Sequence, residues 1–496
     1  MDLRRSDPAL YMNLIQRLKD LEPAARRLEF DAAERLAAID AVTGYVEGFL
    51  ESQRSLPVYR PDETGTAAAA AAMALREEPA DLDDVLHVVG EHVDSSGLFC
   101  GSSRFFSYIP GGGLFASALA DYIAAATDRY AGVQHSTPGA TRMERLLVRW
   151  LADEIGYPGS AEGDLTSGGS IASLSAIIAA RQAFEIRARD VEQMVIYMTG
   201  LTHHTFAKAL RIAGLGECPL RFVPVDDRFR MDDDAVERQI AADRKAGLRP
   251  WMIVATAGTT DTGSVDPLPR LAEIATSEKL WLHVDAAYGG AFRLCAEGAR
   301  RLEGLERSDS LVLDPHKGLF VPYGTGLVLV RDGAHLYDAC HARGAYMQDL
   351  VGESSRLDQS PCDFSPELSR HYRCLRLWMP LKLAGIAPFR AALEEKLLLA
   401  AYFHEQIAAT PGFEAGAPPD LSVVTFRYVP EHGDADRFNR RLADAVRDDG
   451  RIHFSTTTLH GNFTPRLAVL GYHTHLEDIE CALEVIREKA RALESE

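Results

Sequence analysis

Short apolar runs alternate with amphipathic helical patterns between about residue 113 and residue 376, and this alternation is the tightest constraint on the fold. The apolar runs, several of them apolar on both faces, are 195–198, 222–225, 252–255, 280–284, 311–313 and 327–330. Helical patterns fall between or before them, at 171–189, 203–214, 232–246 and 267–278. Such alternation predicts an α/β fold with a mainly parallel sheet and helices on both of its sides. Ligands of these sheets bind at the carboxyl ends of the strands.

The regions on either side of this segment have different patterns. Before it, apolar residues recur at helical spacing in 10–22, 30–52 and 83–95, and such stripes need a partner to cover them. After it, strand and helix candidates alternate at 380–409, 422–426, 434–448, 466–470 and 476–493. The sequence therefore predicts a helical N-terminal segment, a large α/β domain and a small α+β domain, with bounds 1–112, 113–376 and 377–496.

Composition and charge argue against several classes of function. The chain has 496 residues, of which 46% are hydrophobic and 25% are charged, as is typical of a globular protein. Its formal net charge of −19 argues against a nucleic-acid-binding surface. The seven cysteines form no CxxC pair, so neither a metal site nor a disulfide framework is indicated. No apolar stretch has the roughly 18 residues of a membrane span, and we expect a cytoplasmic protein without membrane or nucleic-acid partners.

Lys317 and Asp285 each stand where a predicted strand ends. Lys317 follows the run 311–313 within the sequence Asp-Pro-His-Lys-Gly, and Asp285 follows the run 280–284. This pair suits pyridoxal phosphate, because a lysine amine holds the cofactor aldehyde as a Schiff base and a carboxylate keeps the pyridine nitrogen protonated. Burying a carboxylate at the end of an apolar strand costs free energy unless the carboxylate is paired. Its partner would be the pyridine nitrogen in a cofactor site, and an arginine is the alternative.

Three further segments carry polar groups at strand ends. In 166–170, two glycines and a helix start favour phosphate, although a plain helix cap has the same pattern. His203 follows the run 195–198, where an imidazole can stack on a cofactor ring or simply cap the next helix. The stretch 255–260 ends another strand in small and hydroxyl residues, a pattern that turn chemistry also explains.

The stretch 334–366 has no clear periodicity and is rich in Ser, Asp and Gln. A loop of this length inside a compact domain is typically a lid. Tyr346 lies near its centre, where a phenol can deliver a proton to a carbanion when the lid closes. The alternative is an exposed tyrosine on a loop, with no catalytic role.

Taken in order along the chain, these segments resemble the pyridoxal-phosphate-dependent group II amino-acid decarboxylases, the relatives of aromatic L-amino-acid, histidine and glutamate decarboxylases. The residues that carry the resemblance are 166–170, His203, 255–260, 283–290 and 314–317. The resemblance extends from about residue 100 to the end of the chain. It implies the aspartate-aminotransferase type of fold, known as fold type I, and pyridoxal 5'-phosphate as the cofactor.

The resemblance also implies a role for each matching residue. Lys317 matches the Schiff-base lysine, Asp285 the partner of the pyridine nitrogen, and His203 the histidine stacked on the cofactor ring. The other cofactor contacts that it implies, near the phosphate or beside the ring, are Gly169, Ser170, His316, Thr260 and Ala287. Tyr346 matches the lid tyrosine that protonates the substrate carbon in the neighbouring subunit's site. A homodimer with shared active sites follows from this resemblance, with segment 1–112 packed on the partner.

The activity implied by the resemblance is decarboxylation of an L-amino acid, with an aromatic side chain favoured, to the amine and CO2. Tyr108 and Ile109 stand where aromatic-amino-acid decarboxylases carry their pocket strand. Tyr108 keeps an aromatic wall, whereas Ile109 and the glycines after it reshape the site. Arg104 and Arg466 are candidates for binding a carboxylate and equally for structural ion pairs.

Other functions remain open at the level of sequence. Some relatives form aldehydes by oxygen-dependent decarboxylative deamination, but there a phenylalanine replaces the lid tyrosine or an asparagine replaces the stacking histidine. Tyr346 and His203 therefore favour simple decarboxylation. A non-enzymatic dimeric scaffold is expected to have lost Lys317 or Asp285, and both are present. A transaminase or a carbon–carbon lyase on the same fold would be distinguished by the absence of CO2 release.

Overall fold

The computed structural model describes four stretches of the chain, residues 8–53, 55–63, 65–342 and 359–495. The chain separates into two compact units. The first unit comprises residues 1–56 and 60–98, and the second comprises 57–59 and 99–496. The three-part division predicted from the sequence stays a prediction.

The first unit is helical, as its apolar periodicity predicts. Its α-helices are α1 (Pro8–Ala25), α2 (Ala32–Ser52), α3 (Thr66–Ala72) and α4 (Leu82–Val89). Helix α2 begins at a capping box in which the Asp31 carboxylate accepts hydrogen bonds from the N–H groups of Ala33 and Glu34, while the Glu34 carboxylate accepts one from Asp31. None of the described residues in this unit is buried. Its apolar stripes therefore remain uncovered within the unit.

The second unit contains a seven-stranded sheet and a five-stranded sheet. In chain order, its strands are β1 (Phe105–Phe106), β2 (Glu162–Thr166), β3 (Met194–Thr199), β4 (Leu220–Val223), β5 (Arg249–Thr256), β6 (Trp281–Asp285), β7 (Ser310–Leu313), β8 (Gly326–Val330), β9 (Phe413–Ala415), β10 (Val423–Tyr428), β11 (His453–Leu459) and β12 (Asn462–Ala468). The large sheet has the order β2-β8-β7-β6-β5-β3-β4, and the small sheet has the order β9-β10-β12-β11-β1.

The large sheet is mainly parallel, as predicted. Strands β7, β6, β5, β3 and β4 run in one direction, and β8 pairs antiparallel with both β7 and β2. Because β8 alone is reversed, β2 runs with the parallel strands. The carboxyl ends of β2, β3, β5, β6 and β7 therefore meet at one edge, where ligands of open α/β sheets bind.

Helices cover both faces of this sheet, which confirms the predicted fold class. The α-helices of the second unit are α5 (Phe115–Thr127), α6 (Pro138–Ile155), α7 (Gly169–Ala183), α8 (His204–Ile212), α9 (Asp233–Lys245), α10 (Leu268–Glu278), α11 (Ala296–Arg301), α12 (Pro315–Gly318), α13 (Gly333–Cys340), α14 (Cys374–Ala384), α15 (Ile386–Ala408), α16 (Ala435–Asp449) and α17 (Leu476–Glu494). Along β3, Val195 and Tyr197 enter one hydrophobic cluster with α6 and α10, whereas Ile196 and Met198 enter another with α7 and α8.

Two of the predicted segments have a different structure from the one expected. The helical pattern at 380–409 is divided into α14 and α15, because Gly385 lies between them with a φ of 74° that ends the first helix. The first part of the predicted loop 334–366 is helix α13, whose start is capped by the Asp332 side chain accepting from the Ala334 N–H.

Among the helices in the described ranges, none is long and apolar enough to cross a membrane.

Candidate active site

A cavity of about 290 Å³ lies at the carboxyl edge of the large sheet. The loops that follow β2, β3, β5, β6 and β7 all line it. The residues predicted to contact a cofactor are Gly169, Ser170, His203, Thr260, Asp285, Ala287, His316 and Lys317, and every one of them lines this cavity. Sequence reasoning assigned no role to Asp314 or Tyr288, which line it too. Asp314 is the more informative omission, because it directly follows β7 just as Asp285 ends β6.

Lys317 is presented to the cavity by α12, a helix of a single turn. The Lys317 N–H donates a hydrogen bond of 2.8 Å to the Asp314 carbonyl, which fixes the turn. The Lys317 ammonium Nζ lies 3.0 Å from Asp314 Oδ2. The reactive amine of this site is therefore held by a carboxylate from its own turn.

Asp285 is the last residue of β6, opposite Thr256 of β5 and Val312 of β7. Its Oδ1 accepts a hydrogen bond of 3.1 Å from the Ala287 N–H, which turns the carboxylate towards the loop after the strand. Within the described residues, no arginine or lysine forms an ion pair with Asp285. The carboxylate therefore lines the cavity without the arginine partner that the sequence left as an alternative.

The loop between β2 and α7 has the features of a phosphate site. Gly168 adopts a φ of 151°, which a residue with a side chain rarely adopts, and α7 begins directly after it. The N–H groups of Gly169 and Ser170 have no acceptor among the described residues, and both residues line the cavity. Unsatisfied N–H groups at the start of a helix attract an anion, and phosphate is the usual one.

His203 precedes α8 and lines the cavity after the end of β3. Its Nδ1 lies 2.7 Å from the Thr205 hydroxyl and accepts from the Thr205 N–H at 3.4 Å, so the ring proton belongs on Nε2. Burial lowers the pKa of His203; Asp285 opposes the shift, and the neighbouring His204 adds to it. The imidazole is thus favoured in its neutral form.

His316 precedes Lys317 and lies close to the loop between β2 and α7, since a Cβ added at Gly168 would be 3.8 Å from its Cε1. Its Nδ1 is 2.6 Å from the carbonyl oxygen of Thr325, so this nitrogen carries a proton and donates it. Burial lowers the pKa of His316, which favours the neutral ring. Its Nε2 faces the carboxylate of Asp314 at 3.8 Å.

The residues predicted to contact the substrate lie outside this cavity. Ile109 is buried, and Tyr108 is 61% exposed. Their roles stay predictions. The two arginines that could bind a substrate carboxylate or form structural ion pairs have different partners. Arg104 Nε is paired with Asp478 Oδ1 at 3.0 Å, whereas buried Arg466 donates to the Ser455 hydroxyl and the Tyr108 carbonyl.

Tyr346 lies outside the described residues. Its assignment as a lid tyrosine, like the lid role of the loop that contains it, is not tested by the geometry of the cavity.

The cavity offers a matching group for each part of pyridoxal phosphate. An amine, Lys317, is available for an aldehyde, and a carboxylate, Asp285, for a ring nitrogen. The N–H groups of Gly169 and Ser170 are available for a phosphate, and a neutral imidazole, His203, for the face of the ring. The donor set therefore fits this cofactor.

Comparisons with known proteins agree with the chemistry of the cavity. The sequence model described as pyridoxal-dependent decarboxylase conserved domain matches residues 67–429. The aromatic-L-amino-acid decarboxylase of Bacillus atrophaeus is 31% identical over 82% of this chain and 85% of that protein. Phenylacetaldehyde synthase of Arabidopsis thaliana is 29% identical over 84% of this chain and 88% of its own length.

A solved structure extends the agreement to the whole fold. The crystal structure of Oryza sativa TDC with PLP and tryptamine superposes with a TM-score of 0.87 and 26% identity, and the match covers 94% of this chain and 99% of that one. The shared fold, the family match and the fitting donor set point to one conclusion. The chain belongs to the pyridoxal-dependent decarboxylase family and is a pyridoxal-phosphate-dependent carboxy-lyase of fold type I.

Proposed function

We propose that this enzyme decarboxylates an aromatic L-amino acid to the corresponding amine and CO2. The observation that carries the proposal is the meeting of Lys317, Asp285 and His203 in one cavity at the carboxyl edge of the sheet. Two relatives support an aromatic substrate. The Bacillus atrophaeus protein is named aromatic-L-amino-acid decarboxylase, and the Oryza sativa structure contains tryptamine.

Lys317 and Asp285 take the central roles in this proposal. When bound, pyridoxal phosphate supplies a ring that accepts the electrons of the bond between Cα and the substrate carboxylate. Lys317 would hold the aldehyde carbon and later release the product amine. Asp285 would pair with the ring nitrogen and keep it protonated, because a negative charge at this position stabilises a pyridinium.

The remaining cavity residues would hold and orient the ring. Gly169 and Ser170 would bind the phosphate through their N–H groups, with His316 close by, and Thr260 and Ala287 would line the ring. His203 would stack on the ring face. A neutral imidazole suits this position, since a charged one would repel the protonated ring.

We also propose that Tyr346 protonates the substrate carbon after CO2 has left, in the active site of a neighbouring subunit. This proposal rests on the resemblance of its position to the lid tyrosine of group II decarboxylases. A homodimer is further supported by the first unit, whose described apolar residues are not buried. A second copy of the chain would cover them.

The cysteines support a cytoplasmic location, which we propose as well. All seven lie within the described residues, and none forms a disulfide. A reducing compartment keeps cysteines in this state.

Assays on the purified protein test the proposed function. On mixing with pyridoxal phosphate, we expect an absorbance band at about 420 nm that borohydride fixes to Lys317. A panel of amino acids assayed for CO2 and amine should give turnover with tyrosine, tryptophan, phenylalanine or DOPA. Failure of all four, together with turnover of an acidic or aliphatic amino acid, would show that the aromatic assignment is wrong.

Matched lysine variants control for indirect effects. Lys317→Ala should lose the band and the amine, whereas Lys208→Ala should keep both because Lys208 is exposed on α8 and does not line the cavity. If wild-type protein gives no band, the proposed chemistry fails altogether.

Aldehyde formation is the second candidate, favoured by the similarity to phenylacetaldehyde synthase. It consumes oxygen and releases hydrogen peroxide, so a peroxide assay run beside the CO2 assay separates the two activities. We expect amine without stoichiometric peroxide. In aldehyde-forming relatives either the lid tyrosine or the stacking histidine is replaced, whereas this chain has Tyr346 and His203 at the two matching positions.

A further inference from the structure

We propose that Asp314 is the acid–base partner of Lys317: its carboxylate takes a proton from the Lys317 ammonium when the nitrogen must become a nucleophile. The inference rests on the proposed function, in which the Lys317 amine reacts with the cofactor aldehyde. It adds a catalytic residue that touches the reacting nitrogen.

The position of Asp314 is fixed on both sides. Its N–H donates a hydrogen bond of 3.0 Å to the Ala287 carbonyl, and its own carbonyl accepts from the Lys317 N–H at 2.8 Å. The residue is only 3% exposed. Oδ2 lies 3.0 Å from Lys317 Nζ, so a proton can pass directly between the two side chains.

The second carboxylate oxygen of Asp314 is an exception to normal hydrogen bonding. Oδ1 is buried and has no hydrogen-bond partner among the described residues. Burying a carboxylate oxygen without a hydrogen-bond donor costs free energy, and a catalytic role is one explanation for such an atom in a folded protein. Among the residues that the structure describes, the only cations near Oδ2 are the Lys317 ammonium and, when protonated, the His316 ring at 3.8 Å. Lys317 is therefore the main partner of the Asp314 carboxylate.

A purely phosphate-binding role explains Asp314 less well. A Cβ added at Gly169 would lie 2.8 Å from Asp314 Oδ2, so the carboxylate borders the start of α7 where the phosphate would bind. A carboxylate beside a bound phosphate would repel it, and a carboxamide would serve a phosphate better. The contact with the Lys317 ammonium therefore explains an acid at this position better than a phosphate does.

The proton and electron balance of the step is complete without another reactant. One ammonium proton of Lys317 passes to Asp314 Oδ2, and the nitrogen lone pair forms a bond to the aldehyde carbon. The proton on Asp314 and a second proton from nitrogen join the aldehyde oxygen, which leaves as water. The nitrogen keeps one proton in a positively charged C=N bond, and the carboxylate is restored beside it.

Asp314→Asn tests the inference because it preserves shape and removes the acid–base function. The readout is the rate at which the band at about 420 nm appears when full-length protein freed of cofactor is mixed with pyridoxal phosphate. General acid–base catalysis accounts for rate factors of about 100 or more, and we expect a slowing of about this size. Asp332→Asn is the matched control, since Asp332 also stands at the N-cap position of a helix after a strand but does not line the cavity.

Pyridoxal, which lacks the phosphate, separates the two possible roles. If Asp314 acts on Lys317, the variant should be slowed to a similar degree with pyridoxal and with pyridoxal phosphate. If Asp314→Asn changes only the reaction with pyridoxal phosphate, or reacts at the wild-type rate with both, the inference is wrong. A wild-type protein without the band would instead contradict the proposed function.

Chemical rescue keeps the test decisive if the asparagine variant folds poorly. Asp314→Ala leaves space beside Gly169 in which formate can replace the missing carboxylate. Added formate should restore part of the rate in Asp314→Ala and leave Asp332→Ala unaffected. No rescue in a folded Asp314→Ala protein would count against the proposed proton transfer.

Discussion

At the scale of single residues, His283 shows how the strand beside the cavity constrains ionisation. It lies two residues before Asp285 on β6, and its side chain is fully buried. Nδ1 is 2.9 Å from the Ser310 hydroxyl, and the ring stacks on Phe206 with the centroids 5.3 Å apart. Burial lowers the pKa of His283 to about 4. The folded protein therefore holds this imidazole in its neutral form.

We expect His283 to make the protein less stable in acid. Between pH of about 6.5 and about 4, the unfolded chain binds a proton here that the folded chain does not, so the free energy of unfolding falls as the pH falls. A shift of this size corresponds to about 3 kcal/mol. Urea denaturation at about pH 7 and about pH 4.5 should show a larger loss in the wild type than in His283→Gln.

A comparison of variants is needed because other groups act in the opposite direction. Burial raises the pKa of Asp164 and of Asp266 to about 6, so these carboxyl groups stabilise the folded state as the pH falls through that value. His432→Gln, at an exposed position, is the matched control and should lose as much stability as the wild type. Equal losses in wild type and His283→Gln would show that His283 makes no contribution.

At the scale of elements, the turn that carries Lys317 packs against the glycine segment after β1. A Cβ at Gly111 would overlap the His316 carbonyl oxygen and lie 2.7 Å from the Lys317 carbonyl oxygen. We expect Gly111→Ala to destabilise the protein by about 1 to 3 kcal/mol, since overpacking against backbone cannot be relieved by a rotamer change. Displacement of α12 should also reduce kcat by about 100-fold. Thermal unfolding and amine assays measure the two effects.

Gly139→Ala is the control for the glycine change. Gly139 lies in the first turn of α6, and a Cβ there would have no neighbour within 4 Å. We expect its free energy of unfolding to stay within about 0.5 kcal/mol of the wild type, with unchanged kcat. If Gly111→Ala behaves in the same way, the close approach to α12 does not limit the site.

The elements also show why part of the structure could be predicted from the sequence and part could not. Six strands of the large sheet could be predicted from their apolar runs, and all of them except the partly buried edge strand β4 are buried strands, which read as such runs. Strand β2 could not be predicted, since its residues Glu162 and Asp164 read as surface charges. They are buried because Arg145 pairs with Glu162 and Arg370 pairs with Asp164 at 2.7 Å. No local pattern reveals such distant partners.

The same distinction holds for the cavity. Lys317, Asp285 and His203 could be predicted, because each follows an apolar run that forms a parallel strand, and a polar residue after such a strand reaches the ligand edge of the sheet. The contact between Asp314 and Lys317 could not, since it depends on the single turn of α12 that brings the two side chains to 3.0 Å.

At the scale of the whole molecule, the apolar surface of the chain favours a second subunit. In the first unit, Leu18 and Leu21 of α1 are 54% and 61% exposed. In the second unit, α5 exposes Phe115, Leu119 and Tyr122 along one face. Surfaces of this kind on a large enzyme are usually covered by another copy in a symmetric dimer. The dimer proposal predicts that a functional site can be assembled from two different chains.

Mixing two inactive variants tests whether the active sites are shared. Lys317→Ala lacks the amine and Tyr346→Phe lacks the proposed proton donor, so each variant alone should form little amine. If Tyr346 acts in the neighbouring subunit, a mixed dimer has one complete site, in which an intact Lys317 meets an intact Tyr346. Random reassociation of equal amounts should then restore about one quarter of the wild-type amine formation. If Tyr346 acts within its own chain, no mixed dimer has a complete site, and mixing will restore nothing.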